Sequence, residues 1–269
     1  MDYKETTREV KKYSGYLIDL DGTMYRGNKV IDAAGDFVEV LNQSDIPYLF
    51  VTNNSSKTPA AVSDKLNSMN IMATPKHVLT SSMATAKYMK RINPSARCYV
   101  IGEEGLIQAI QQEGLIVTEE NCDFVVVGLD RNISYEKLTI ACLAIRNGAT
   151  FISTNSDVAI PSERGLLPGN GAITSVITVS TGIAPIFIGK PEAIIMNEAL
   201  KLLRLSKNEA LMVGDNYNTD ILAGIHAGID TLMVYTGVTS YTSYHSLEVK
   251  PTYHVHNLYE WISKIKAVH

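Results

Sequence analysis

The 269-residue sequence is poor in cysteine. Cys98, Cys122 and Cys142 are an odd set with no CxxC spacing, which argues against a disulfide scaffold and a structural zinc site. It also lacks a basic excess. Against 24 Lys and Arg stand 28 Asp and Glu, a net charge of −4, the wrong balance for a dedicated nucleic-acid binder. With 18 Gly and 9 Pro the chain is neither collagenous nor low in complexity. The longest uncharged stretch, Gly165 to Gly189, is rich in Gly, Pro, Ser, Thr and Asn, a poor lipid-facing helix. Met1 to Tyr13 is charged, without the apolar segment of a signal peptide. The expectation is a soluble cytoplasmic protein with no membrane partner. No GxGxxG or GxxxxGK[ST] turn is present, so binding of NAD or ATP is not expected.

What is present is a 45% hydrophobic content, enough to bury the core of one large domain or two smaller ones. Short apolar runs alternate with helical patterns. Tyr16–Ile18, Pro47–Thr52, Arg97–Gly102, Asp123–Gly128, Ala149–Ser153, Pro185–Gly189, Ala210–Gly214, Thr231–Tyr235 and Thr252–Val255 read as strands. Tyr135–Asn147, a segment opening at Pro191, another opening at Thr219-Asp220 and Tyr259–Ile265 read as helices. Such alternation predicts an α/β fold with a mostly parallel sheet.

Four predicted strands run into a residue suited to phosphate or metal chemistry: Asp19, Thr52, Lys190 and Asp215. Parallel sheets bind ligands outside the carboxyl ends of their strands, so the four are expected at one edge. In Asp19-Leu20-Asp21-Gly22-Thr23, an i, i+2 pair on an extended segment points both carboxylates the same way. Close carboxylates repel, which calls for a cation or a shared proton. Asp215 ends its strand, and Asp220 stands at a helix start, as a cap or as a further acid at the site. Carboxylates without clustered His or Cys favour a hard cation, and Mg²⁺ fits best. Lys190, between Gly189 and Pro191, is placed to neutralise phosphate oxygens as a point charge. Thr52, Asn53 and Asn54 offer a hydroxyl and amides before a helix, which suits an anion cradle or an N-cap cluster. His254 and His256 alternate on a strand and read as surface residues.

These segments, DLDGT at 19–23, TNN at 52–54, GKP at 189–191 and GDNYNTD at 214–220, resemble the ordered motifs of the haloacid dehalogenase superfamily. More narrowly they resemble its NagD-type p-nitrophenyl phosphatases. The resemblance implies a Rossmann-like parallel-sheet core from 1–81 and 185–269, with an inserted smaller α/β cap of the C2 type at 82–184. It implies an Mg²⁺-dependent phosphomonoesterase acting on small phosphorylated metabolites through an aspartyl-phosphate. Asp19 matches the nucleophile and Asp21 the general acid and base. Asp19, the backbone carbonyl of Asp21, and Asp215 match the metal ligands, with Asp220 an acidic neighbour of the metal. Thr52, Asn53 and Asn54 match the phosphate loop and Lys190 the charge-stabilising lysine. In the cap, Thr154–Asp157 and Pro161–Gly171 resemble substrate-facing loops, with Asp157, Glu163 and Arg164 as candidate contacts. Relatives of this type are often homodimers.

Two rival functions use the same parts. A phosphotransferase or mutase keeps Asp19 and excludes water. A receiver-type phospho-acceptor also uses an Asp, acidic metal ligands, a Thr and a Lys, but needs less chain and no acid two residues after the nucleophile. Asp21 disfavours a dehalogenase on the same ground.

Overall fold

The computed structural model describes residues 9–268. Two parallel sheets organise them. The larger has six strands, ordered Tyr253–Val255, Asp230–Val234, Ala210–Gly214, Gly15–Ile18, Tyr48–Thr52 and Val78–Thr80. The smaller has five, ordered Ile186–Phe187, Thr150–Ser153, Phe124–Val127, Arg97–Ile101 and Ile116–Val117. Every neighbouring pair in both sheets is parallel.

The central strands are continuous apolar runs for a physical reason. Tyr16-Leu17-Ile18, Phe124–Val127 and Ala210–Val213 are buried on both faces, as strands covered on each side by helices must be. The helix Ala34–Gln43 shows the matching pattern: Phe37, Val38, Val40 and Leu41 are buried, and a helix with one apolar stripe lies on the sheet by that stripe. One buried cluster runs without a break from Leu17, Val51 and Met212 of the larger sheet to Cys98, Phe124 and Ile152 of the smaller. The relative position of the sheets is therefore set by packing as well as by chain connection.

Most predicted elements form within a residue or two of their expected ends. Two differ usefully. Ile186–Phe187 pairs with Ile152 and Ser153 of the smaller sheet, so Lys190 reaches the site from there, while Thr52 ends a strand of the larger one and Asp19 and Asp215 directly follow two others. The helix expected to open at Pro191 instead runs Ala193–Leu203. Just before it, the backbone of Lys190 is engaged at both N–H and C=O by the Asn53 side chain. The Pro161–Gly171 stretch forms a hairpin, Ala159–Ser162 with Gly165–Pro168, and then the start of the helix Asn170–Thr181. Among the described residues no helix is long and apolar enough to cross a membrane. His254 stacks on Tyr244 with ring centroids 4.2 Å apart, and His256 lies 4.6 Å from Tyr241.

Candidate active site

Asp19 follows the buried strand Gly15–Ile18, where its backbone N–H donates to Val213 O at 2.9 Å. The neighbouring strand ends at Gly214 and delivers Asp215 beside it. The chain then makes a π-helical turn, Tyr217–Ile221, a local widening common at functional sites. That turn points Asp220 back at the strand ends. Carboxylate oxygens of Asp19, Asp215 and Asp220 lie within 4.8 Å of one another, and all three residues are buried.

Gly22 makes this convergence sterically allowed. Its φ is +100°, and a Cβ there would sit 2.4 Å from the Asp215 carboxylate, so both the backbone angle and the space require glycine.

Lys190 stands among the acids. Its ammonium pairs with Asp19, with Asp220 at 2.8 Å, and donates to Val51 O at 3.0 Å. Asp215 is held by Thr23 Oγ1 at 3.1 Å and by Val238 N–H at 2.6 Å. Asp220 also accepts from Asn216 N–H at 3.0 Å. One oxygen therefore braces the start of the turn, whose N-cap is Asn216, while the other faces Lys190.

Three buried carboxylates against one ammonium leave an excess of negative charge. Burial first, then Asp220, push Asp19 well above the usual carboxylate range, against the pull of Lys190. Burial and Asp220 likewise push Asp215 up to about 6. Burial works against the Lys190 ammonium, but Asp19 and Asp220 more than reverse it and hold the proton firmly. A cation among the acids would relieve this repulsion. The donors are hard oxygens only, which fits a divalent ion of the Mg²⁺ or Ca²⁺ type better than Zn²⁺ or Cu²⁺.

The acids open onto a cleft of about 600 Å³ between the two sheets. Asp21 lines it, exposed on one side, with enough protein around the carboxyl to raise its pKa while Lys65 opposes the rise. Thr52 lines it too, and its hydroxyl accepts from Asn54 N–H at 3.1 Å. Asn54 Oδ1 accepts from Ser56 N–H at 3.0 Å and Lys57 N–H at 2.8 Å, so this amide shapes the loop as an N-cap does. Asn53 and Asp157 meet across the cleft, 3.1 Å apart from Nδ2 to Oδ1. Glu163 and Arg164 are not brought in: they sit exposed at the hairpin turn, while Val158, Ile160 and Pro161 supply that wall.

Sequence reasoning passed over Lys65, Tyr25, Leu129 and Arg131, which also line the cleft. Lys65 lies 3.9 Å over the Tyr25 ring, and Arg131 is held by Glu103 at 2.8 Å. Glu103, just after the strand Arg97–Ile101, is the residue that reaches Arg131.

Comparisons with known proteins agree with this geometry. A family model for haloacid dehalogenase-like hydrolases matches residues 16–116, and a HAD-hydrolase-like model matches 187–261. The 5'-nucleotidase YutF of Bacillus subtilis (strain 168) is 59% identical, over 95% of this chain and 100% of that one. An acid sugar phosphatase of Staphylococcus epidermidis is 55% identical over 96% of this chain and 100% of its own length. The crystal structure of a putative p-nitrophenyl phosphatase from Bacillus subtilis superposes with a TM-score of 0.90, at 58% identity, covering 97% of this chain and 99% of that one. With full-length relatives at this identity and a parallel α/β core carrying the acids at its strand ends, the chain belongs to the haloacid dehalogenase-like hydrolases.

Proposed function

We propose that the protein is an Mg²⁺-dependent phosphomonoesterase for small phosphorylated metabolites, working through an aspartyl-phosphate on Asp19. The observation that carries the reading is the buried group of Asp19, Asp215, Asp220 and Lys190 at the floor of the cleft. The relatives' names, a 5'-nucleotidase, an acid sugar phosphatase and p-nitrophenyl phosphatases, support a phosphate monoester as substrate. In this reading 82–184 is the cap and the remainder the core, with the strand Ile186–Phe187 hydrogen-bonded to the cap sheet at the return crossing.

Asp19 and Asp215, with the backbone carbonyl of Asp21, would hold the metal, and Asp220 orients Lys190. When bound, the ion neutralises the acids and the non-bridging phosphate oxygens. Lys190, held by Asp220, contributes a second positive charge toward those oxygens, where charge stabilisation supplies most of the catalysis. Asp19 attacks phosphorus as a carboxylate. Asp21, two residues on and open to the cleft, protonates the leaving oxygen, and the upward push of burial on its pKa is in the direction a proton donor needs. As a carboxylate it then takes the proton of the attacking water. Thr52 and Asn53 provide the polar wall for the phosphate, and Val158, Ile160 and Pro161 an apolar wall for the leaving group.

Phosphate release from p-nitrophenyl phosphate, nucleoside monophosphates and sugar phosphates, with Mg²⁺ and with EDTA, tests the reading. The expected result is release with Mg²⁺ that EDTA abolishes and added Mg²⁺ restores. Full turnover in EDTA would exclude a metal from the reaction, and no release from any monoester would exclude the phosphatase.

Asp21→Asn tests the proton donor. It is expected to slow poor leaving groups such as sugar hydroxyls by about 10²–10⁴-fold. The loss is expected to be smallest for p-nitrophenolate, which departs without a proton. Equal losses on both substrate types would remove Asp21 from the general-acid role.

A further inference from the structure

The Asn53 amide is shared between the two sides of the cleft. Its Oδ1 accepts from Lys190 N–H at 2.8 Å, and its Nδ2 donates to Lys190 O at 2.9 Å. The side chain thus grips the backbone of one residue at two points. The remaining hydrogen of Nδ2 goes to the Asp157 carboxylate, 3.1 Å from Oδ1 and 3.3 Å from Oδ2.

Asp157 is itself rigidly presented. Its N–H donates to Asn155 Oδ1 at 3.1 Å, and Asn155 Nδ2 donates to Asn53 O at 2.8 Å. Behind the loop, buried Asn170 donates to Asn155 O at 2.8 Å. A Cβ on Gly169 would come within 2.2 Å of Asp157 O, so loop and helix start meet backbone to backbone. Ile152, in the strand that leads into this loop, belongs to the buried cluster that joins the two sheets.

We infer that Asp157 is a positioning residue for the phosphate site: it holds the Asn53 amide, and Asn53 sets the backbone of Lys190 and so the ammonium that reaches Asp19 and Asp220. A carboxylate beside an anion site opposes substrate binding by its charge, so its presence there needs another reason. Both of its oxygens lie within reach of one Nδ2, which makes the amide the group it serves. Through this chain of contacts, Lys190 is correctly placed only when the loop after Thr150–Ser153 is in position.

This inference rests on the phosphatase reading for its kinetic consequence and on geometry alone for its structural one, so two readouts separate them. In the full chain, Asp157→Ala is expected to lower kcat by about 10- to 100-fold, the worth of a hydrogen bond to a charged group. The factor is expected to be the same for p-nitrophenyl phosphate and for a hexose phosphate, with KM little changed. Asp157→Asn keeps an oxygen for Asn53 and is expected to recover most of the loss. The double variant Asp157→Ala with Asn53→Ala is expected to be no slower than Asn53→Ala alone, because the one acts through the other.

Independently of any turnover, hydrogen–deuterium exchange at the Lys190 amide is expected to accelerate in Asp157→Ala. Unchanged exchange would overturn the inference. So would additive losses in the double variant, or a loss confined to the hydroxyl-bearing substrate, which would make Asp157 a reader of the leaving group. Accelerated exchange in a protein that hydrolyses neither compound would retain the positioning role and remove the phosphatase reading instead.

Discussion

Asp19→Asn is expected to abolish turnover, with a fall in kcat on the order of 10⁴-fold or more, as for loss of other covalent nucleophiles. The amide is nearly the shape of the carboxylate but does not attack phosphorus. The fold is expected to survive. In the free protein Asp19 is crowded by Asp215 and Asp220, and burial and those charges already raise its pKa. Removing one negative charge from that group relieves repulsion, so the metal-free variant is expected to melt no lower than the wild type. Loss of activity accompanied by loss of structure would show instead that the Asp19–Lys190 pair holds the site together.

Lys190→Met is the complementary experiment and is expected to harm both activity and stability. The ammonium is buried and contacts Asp19, Asp220 and Val51 O. Taking it away leaves two buried carboxylates without their cation. Breaking a buried ion pair on one side costs about 3–5 kcal/mol. For a chain of this size that corresponds to a fall in Tm of roughly 6–20 °C. Loss of one donor from a charge-stabilising site costs on the order of 10²–10³ in kcat. Lys190→Arg is expected to rescue little, because a planar fork does not reproduce three contacts diverging from one nitrogen in a closed space. Added Mg²⁺ is expected to restore part of the stability of Lys190→Met and little of its activity. A variant with wild-type Tm and kcat would remove Lys190 from both roles.

The acidic floor of the site was legible because each of its members breaks a local pattern. Asp19 and Asp215 follow runs of buried apolar residues, where a carboxylate is costly unless it is used. Gly22 signals a backbone angle that other residues avoid. Lys190 was legible for its chemistry but not for its origin. Ile186–Phe187 is two residues long, and nothing in so short a run says which of two parallel sheets it joins.

The cleft walls were much less legible. Leu129, Arg131 and Lys65 come from separate segments, and each looks ordinary in its own. Arg131 gains meaning only beside Glu103, 28 residues away. Pro161–Gly171 was expected as a loop, whereas Pro161 and Pro168 sit in the strands of a hairpin, a placement tolerated where a strand lacks a second neighbour. Glu163 and Arg164 were expected at the site because Pro161–Gly171 resembles a substrate-facing loop of the family. The hairpin instead turns its apolar Val158, Ile160 and Pro161 to the cleft. Asp157 and Asn53 lie 104 residues apart, and no spacing rule connects them.

The proposed reaction turns on a covalent bond between Asp19 and phosphorus. The most direct measurement is to mix the Asp21→Asn variant with Mg²⁺ and p-nitrophenyl phosphate and quench in acid. In the proposed mechanism Asp21→Asn lacks the base that activates water, so the phosphoenzyme is expected to accumulate. Borohydride then reduces an acyl phosphate to homoserine, and peptide mass spectrometry locates it. Substrate-dependent conversion is expected at position 19 and at no other carboxylate. Conversion at Asp215 or Asp220, or continued release of p-nitrophenol with position 19 unmodified, would contradict it.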